Sequence, residues 1–294
     1  MDGHRYAGGL GRFAECKKAE IEALRDNRAW LEGAVPKGRP RPGFRAALEG
    51  GRKRRGLALI CEYKRASPSK GDIELSLSPE DAAEAYSRAD CVSVLTEPFF
   101  FKGSMGFLGR MGLRPLLRKD FILDPLQVMD TALTPASAIL VIIRMLDPAA
   151  IPPILSECAS CGLEPVVEVF NEGELDVARG LGARLIQVNA RDLGSLALDP
   201  DQHQKLIESR PPREGELFIA ASGIKGPEDL ISLRDAGYGA ALIGTSLMRG
   251  GDPKARLSEL LEGLGDDGDD DGHDGHDGDN DGHDGGDSNE GPDG

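Results

Sequence analysis

"LALICEYKRASPSKGD" (residues 57–72) opens as an unbroken apolar run and ends in a charged, Ser/Pro-rich loop. Side chains on a strand alternate, so Glu62 and Lys64, two apart, share a face. A charge pair turned toward a core is costly unless it is paired or put to use. The stretch therefore reads as a buried strand whose C-terminal end carries chemistry.

The pattern recurs. Short apolar runs follow at 91–95 ("CVSVL"), 115–118 ("PLLR"), 138–143 ("AILVII"), 165–169 ("PVVEV"), 185–189 ("LIQVN"), 217–220 and 240–244 ("AALIG"). With 57–63 they make eight. Most are uninterrupted rather than alternating, as expected of parallel strands covered on both faces. Their starts lie 20 to 34 residues apart, which leaves room for a helix and two loops. Helix signals fill the gaps: Ser78 before "PEDAAEAYSRA", Asn171 before "EGELDVARGLG", and "GPEDLISLRDAGYG". Eight such units predict an α/β fold, a closed (β/α)8 TIM barrel over 57–264. A doubly wound open sheet is the alternative. Residues 1–56 form an N-terminal helical extension, with one amphipathic helix expected over 10–30 from the spacing of Leu10, Phe13, Ile21 and Leu24. Pro152 and Pro153 are tolerable only in a helix's first turn.

The chain carries a formal charge of -15 over 294 residues, but its tail distorts the figure. Residues 266–294 hold twelve Asp, one Glu and no Lys or Arg, leaving only -2 for the rest. The body is a nearly neutral globular chain, and residues 265–294 are expected to be a disordered acidic tail. No basic stripe beyond "GRKRRG" (51–56) suggests nucleic acid. No apolar run reaches the about 18 residues of a membrane span, and no signal-peptide pattern opens the chain. Five Cys, an odd number, fit reduced thiols in a cytoplasm. "CASC" (158–161) lacks a second pair for zinc and reads as two helix residues.

In such a barrel the active site lies at the strands' C-terminal ends. The eight runs deliver Glu62 and Lys64, then Lys119, Glu168, Asn189 and Arg191, Ser222 and Gly223, and Gly244 and Thr245. Clustered opposite charges away from water suit acid–base work. The alternative, buried ion pairs serving packing, stands against this for each residue singly. Gly-rich turns before the last two helices expose backbone N–H groups, a phosphate seat that Lys64 and Ser67 could reach. Outside the tail the only His are His4 and His203, neither at a strand end. That argues against a His triad or a His-held metal, and leaves Lys and Glu as acid and base.

"EYKRASPSKGDI", "SVLTEPFFFKGS", "LLRKDFILDPLQV", "VVEVFNEGELDVA", "VNARDL" and "ASGIKGPEDL…LIGTSLMR" occur in this order between residues 62 and 249, within a likeness that covers roughly residues 10 to 255. Together they resemble indole-3-glycerol-phosphate synthase. The resemblance implies a ring closure in tryptophan biosynthesis, a carbon–carbon (carboxy-) lyase reaction without cofactor or metal. The substrate, 1-(o-carboxyphenylamino)-1-deoxyribulose 5-phosphate, cyclises and loses CO2 and then water to give indole-3-glycerol phosphate. Lys119 matches the family's general acid and Glu168 its base, with Lys64 and Glu62 assisting. Asn189 and Arg191 would hold the carboxyphenyl part and the hydroxyls. Ser67, Ser222, Gly223, Gly244 and Thr245 would line the phosphate, and Phe101 and Phe121 the aryl ring. The implied partner is a small sugar phosphate, with no nucleic acid and no membrane. The expected location is cytoplasmic, and a monomer is compatible with the sequence.

Two positions depart from the family pattern. Ala221 replaces the usual Glu before the strand-seven Ser, and Ala190 follows the strand-six Asn where a polar residue is general. The first removes a polar contact, so weaker catalysis or local compensation is expected. A phosphate-ligand binder without turnover, or a phosphoribosylanthranilate-isomerase type of enzyme, are the rival readings. In the tail, Asp277, Asp279, Asp281 and Gly282 match half of a calcium loop, and His273, His276 and His283 could weakly hold a metal. A solvated polyanion is the plainer reading.

Overall fold

The computed structural model describes residues 10–36, 40–248 and 251–265. Eight parallel strands close into a barrel: β1 Ala58–Tyr63, β2 Cys91–Leu95, β3 Leu116–Lys119, β4 Ala138–Ile142, β5 Glu164–Val169, β6 Leu185–Asn189, β7 Leu217–Ala221 and β8 Ala240–Ile243. Each pairs with the next, and β8 returns to β1 with Leu242 opposite Ile60. The open-sheet alternative is thereby excluded. The eight expected runs coincide with the strands to within a residue or so at each end. A small antiparallel hairpin, Ala66–Ser67 with Gly71–Asp72, follows β1 and was not foreseen in the "SPSKGD" loop.

Pleating sorts neighbouring residues into two separate cores. Ile60, Leu117, Leu140, Val166, Ile219 and Leu242 fill the barrel interior. Leu59, Val94, Ile139, Val167, Ile186 and Phe218 pack outward, against the helices. Because both faces are covered, the strands read as continuous apolar runs. The helices after β1 to β7 are α5 Pro79–Ala85, α6 Gly106–Arg110, α7 Pro125–Ala132, α8 Ile151–Cys161, α9 Glu172–Gly180, α10 Gln202–Ser209 and α11 Pro227–Ala236. After β8 come α12 Thr245–Met248 and α13 Pro253–Gly263. Ser78 and Asn171 do cap α5 and α9, accepting the N–H of Asp81 and Glu174. Pro152 and Pro153 fall in the first turn of α8, where their missing N–H groups cost nothing. Cys158 and Cys161 are buried on that helix, and burial pushes both thiols up to about 12.

The expected single helix over 10–30 is instead three: α1 Leu10–Glu15, α2 Lys18–Asp26 and α3 Arg28–Ala34. The first break falls at Cys16–Lys17, where Lys17 turns inward and is 1% exposed. Its Nζ lies 2.6 Å from Asp120 Oδ1, just past β3. A local helix preference yields here to a tertiary ion pair. A fourth helix, α4 Phe44–Arg55, closes the N-terminal end of the barrel with Phe44 and Leu48. Glu164 at the start of β5 accepts the Phe44 and Arg45 N–H groups at 2.6 and 3.1 Å. The basic run ending α4 is used structurally: Arg54 and Arg55 both pair with buried Asp90. Residues 266–294, with the half calcium loop and the three His, lie outside the described residues, as does His4.

Candidate active site

The C-terminal mouth holds two clusters of charge. The first joins β1 to β3. Glu62 points inward from β1, with Lys64 Nζ 2.5 Å from Oε1 and Lys119 Nζ 3.7 Å from Oε2. Burial by itself would raise the Glu62 carboxyl; the two ammonium groups outweigh it and hold it below the usual value. The pair quoted at the outset is thus a three-membered cluster. Gly244 faces it from the end of β8, and a Cβ there would stand 2.6 Å from Glu62 Oε1. Only glycine lets β8 end so near the charges.

The second cluster joins β5 to β6. Glu168 is 3% exposed, and its two oxygens accept amide N–H groups from one strand. Asn189 Nδ2 reaches Oε1 at 3.1 Å, and Gln187 Nε2 reaches Oε2 at 2.5 Å. Asn189 Oδ1 in turn accepts the Arg191 N–H at 3.0 Å. Arg191 turns its guanidinium to the Leu196 carbonyl at 2.8 Å. Glu168, Asn189 and Arg191 line a narrow cleft together with Ile142, Arg144 and Phe170. Glu62, Lys64 and Lys119 do not line it. The sequence reading omitted Gln187, although its place two residues before Asn189 puts it on the same inward face.

The last two strand ends differ from each other. After β7, Ser222 and Gly223 both adopt positive φ, +69° and +82°, and the Ser carries the strain of that turn. Just before the next helix, within "GPEDL", Asp229 accepts the N–H groups of Lys225 and Gly226. After β8, Thr245 begins α12, and the Leu247 N–H returns to the Gly244 carbonyl. The Thr245 and Ser246 N–H groups, which precede that bond, have no partner within the helix. Ser246 Oγ is buried beside them without a hydrogen-bond partner. N–H groups are therefore free for an anion after β8, while the two just before α11 are taken by Asp229. Ser67, 8% exposed, stands on the hairpin after β1.

Aromatic rings wall the mouth. The centroids of Phe101 and Phe121 are 6.2 Å apart. Phe13 of α1 stacks on Phe121 at 4.7 Å and meets Phe100 edge-on at 4.9 Å, so the extension covers part of the opening. The 99–101 loop is fixed by buried Glu97, which accepts the N–H groups of Phe99, Phe100 and Phe101. Behind Lys119, its neighbours face outward into another ion network. Asp120 accepts from Thr96 Oγ1 at 2.6 Å and pairs with Lys17 and Arg118. Burial would raise the Asp120 carboxyl, but Arg118 and Lys17 hold it low. Glu97, Asp120 and Lys17 escaped sequence reading because their partners are remote in sequence or are backbone N–H groups.

Ala221 points inward at the end of β7, opposite Asn189. Its carbonyl accepts the Ala190 N–H at 3.0 Å and lies 3.1 Å from His203 Nε2. No group of three His, Cys, Asp or Glu side chains gathers as metal ligands among the described residues.

Residues 10–260 match the family model described as indole-3-glycerol phosphate synthase. Indole-3-glycerol phosphate synthase 1 of Streptomyces coelicolor is 37% identical over 236 residues, covering 79% of this chain and 86% of that one. The synthase of Chlorobium phaeovibrioides is also 37% identical, covering 81% and 93%. A multifunctional tryptophan biosynthesis protein of Schizosaccharomyces pombe is 42% identical over 214 residues, and the match spans 28% of that longer protein. Among solved structures, 3-hexulose-6-phosphate synthase from Salmonella typhimurium superposes with a TM-score of 0.54 at 15% identity. It covers 71% of this chain and 98% of its own, a likeness of fold alone. The chain belongs to the indole-3-glycerol phosphate synthase family, decarboxylating lyases of tryptophan biosynthesis that act on a small phosphorylated, sugar-like substrate.

Proposed function

We propose that the mouth closes the indole ring by dividing proton traffic between its two clusters. The substrate is 1-(o-carboxyphenylamino)-1-deoxyribulose 5-phosphate. Lys119 gives a proton to the ribulose carbonyl oxygen as the carboxylate-bearing ring carbon attacks the carbonyl carbon. Departure of CO2 returns its bonding pair to the ring and restores aromaticity. Glu168 then takes a proton from the carbon beside nitrogen while the hydroxyl leaves as water with a lysine proton. Lys64 and Glu62 assist, and Glu62 keeps both ammonium groups at this end of the site. No external electron acceptor or donor is needed at any step.

The observation that carries this reading is the segregation of the charges. Glu168 is satisfied by two neutral amides, while the lysines are satisfied by Glu62. Acid and base thus do not neutralise one another before substrate arrives. Asn189 and Arg191 are assigned to the carboxyphenyl part and the hydroxyls, and Phe101 and Phe121 to the ring wall. The phosphate is assigned to Ser67, Ser222, Gly223, Gly244 and Thr245, with Ser246 Oγ added from its unpartnered position. A cytoplasmic, monomeric enzyme completes the proposal, in keeping with five unbridged cysteines.

The test is indole fluorescence during turnover. Lys119→Ala should lower kcat by about 10²- to 10⁴-fold, the usual worth of a positioned proton donor. Wild-type turnover in that variant would remove Lys119 from the chemistry. Binding of a substrate analogue with no turnover in the unaltered protein would favour the non-catalytic binder instead.

A further inference from the structure

Gln187 is fully buried on the inward face of β6, directly below Asn189. Its Nε2 donates to Glu168 Oε2 at 2.5 Å, while its Oε1 is buried with no partner. Asn189 is different: its Nδ2 donates to Glu168 and its Oδ1 accepts from Arg191 N–H, so both ends are engaged. An unpaired amide oxygen in a core is a destabilising choice, and a methionine of similar volume would fill the space without it. Stability alone does not account for a glutamine here.

We propose that Gln187 is a positioning residue that holds the Glu168 carboxyl through both of its protonation states. With Glu168 ionised, Nε2 and Asn189 Nδ2 each donate to one oxygen and fix the plane of the carboxylate. Once Glu168 has taken the substrate's proton, a half-turn of the Gln187 amide brings Oε1 round to accept from the new O–H. The oxygen left unpartnered in the first state is the acceptor used in the second. Gln187 itself neither gains nor loses a proton. The arrangement also offsets Ala221: β7 brings no polar side chain to this level, and β6 supplies two. The inference rests on the role given above to Glu168.

Steady-state kinetics and thermal melts of Gln187→Met, Glu168→Gln and the double variant test it. Gln187→Met should lower kcat by about 10- to 100-fold, the scale of a small misplacement of a reacting group. KM should stay within about twofold and the melting point should be unchanged or higher. The double variant should be no slower than Glu168→Gln, because the two residues act as one unit. Gln187→Ala serves by the kinetic criteria alone if the methionine does not fold, since its cavity lowers the melting point in any case. Wild-type kcat in Gln187→Met, or losses that multiply in the double variant, would overturn the inference while an inactive Glu168→Gln leaves the role of Glu168 standing. Full turnover in Glu168→Gln would sink that role, and the inference with it.

Discussion

The two ends of the barrel treat buried charge in opposite ways. At the N-terminal end each carboxylate is consumed by structure: Glu164 by two N–H groups of α4, Asp90 by Arg54, Arg55 and the Leu59 N–H. At the C-terminal end two lysines share one glutamate, and a second glutamate is held by amides. Ser93 Oγ, which faces inward opposite Glu62, Gln187 Oε1 and Ser246 Oγ all lack partners there. Apolar packing and closed ion pairs make one end a foundation. Unsatisfied polar atoms make the other a place where a ligand completes the bonding.

The largest effect should separate the ends outright. Lys119→Ala, which removes only a partly exposed ammonium 3.7 Å from its partner, should leave stability within about 1 kcal/mol while it collapses turnover. Asp90→Ala should do the reverse. It strands Arg55 in the core and should cost about 3–5 kcal/mol in chemical denaturation, with KM unaltered in the folded fraction. Turnover lost in proportion to nothing but folding would keep the contrast; a specific KM change would break it.

Lys17→Met probes the one place where the ends' logics meet. It removes a counter-ion from Asp120, which retains Arg118 and Thr96, so about 3 kcal/mol should be lost. Because Asp120 follows Lys119 directly, kcat should fall as well, and an unchanged kcat would make the network purely structural. The smallest effect concerns pH. Burial disfavours the charged ring of His203 and depresses its pKa below 6.5, despite its backbone hydrogen bonds. The unfolded chain therefore takes up protons first, and stability present above about pH 6.5 is lost as pH falls through the folded value. Melting curves of His203→Gln should be flatter than wild type just below pH 6.5.

Much of this was legible in the sequence, for physical reasons. A strand covered on both faces leaves an unbroken apolar run, so the eight strands announced themselves, and their C-terminal ends named Glu62, Lys64, Lys119, Glu168 and Asn189. The break at Lys17 was not legible, because its cause is an aspartate far along the chain. Gln187 was legible in principle: a polar side chain amid "LIQVN", in phase with Asn189, has to face inward. The bonding at "GPEDL" was also legible, since an acidic residue at the third helical position reaches back to the N–H groups just before the helix. Glu97 was hidden because three backbone N–H groups, which leave no mark on side-chain patterns, are what it binds.

The clamp between Lys17 and Asp120 has a consequence for biosynthesis. During translation the extension emerges first, yet the carboxylate it needs is made about a hundred residues later, roughly 5 to 20 seconds at ordinary elongation rates. Nascent chains arrested before residue 120 should be cleaved readily within residues 10–36 by added protease, and chains arrested well past it should resist.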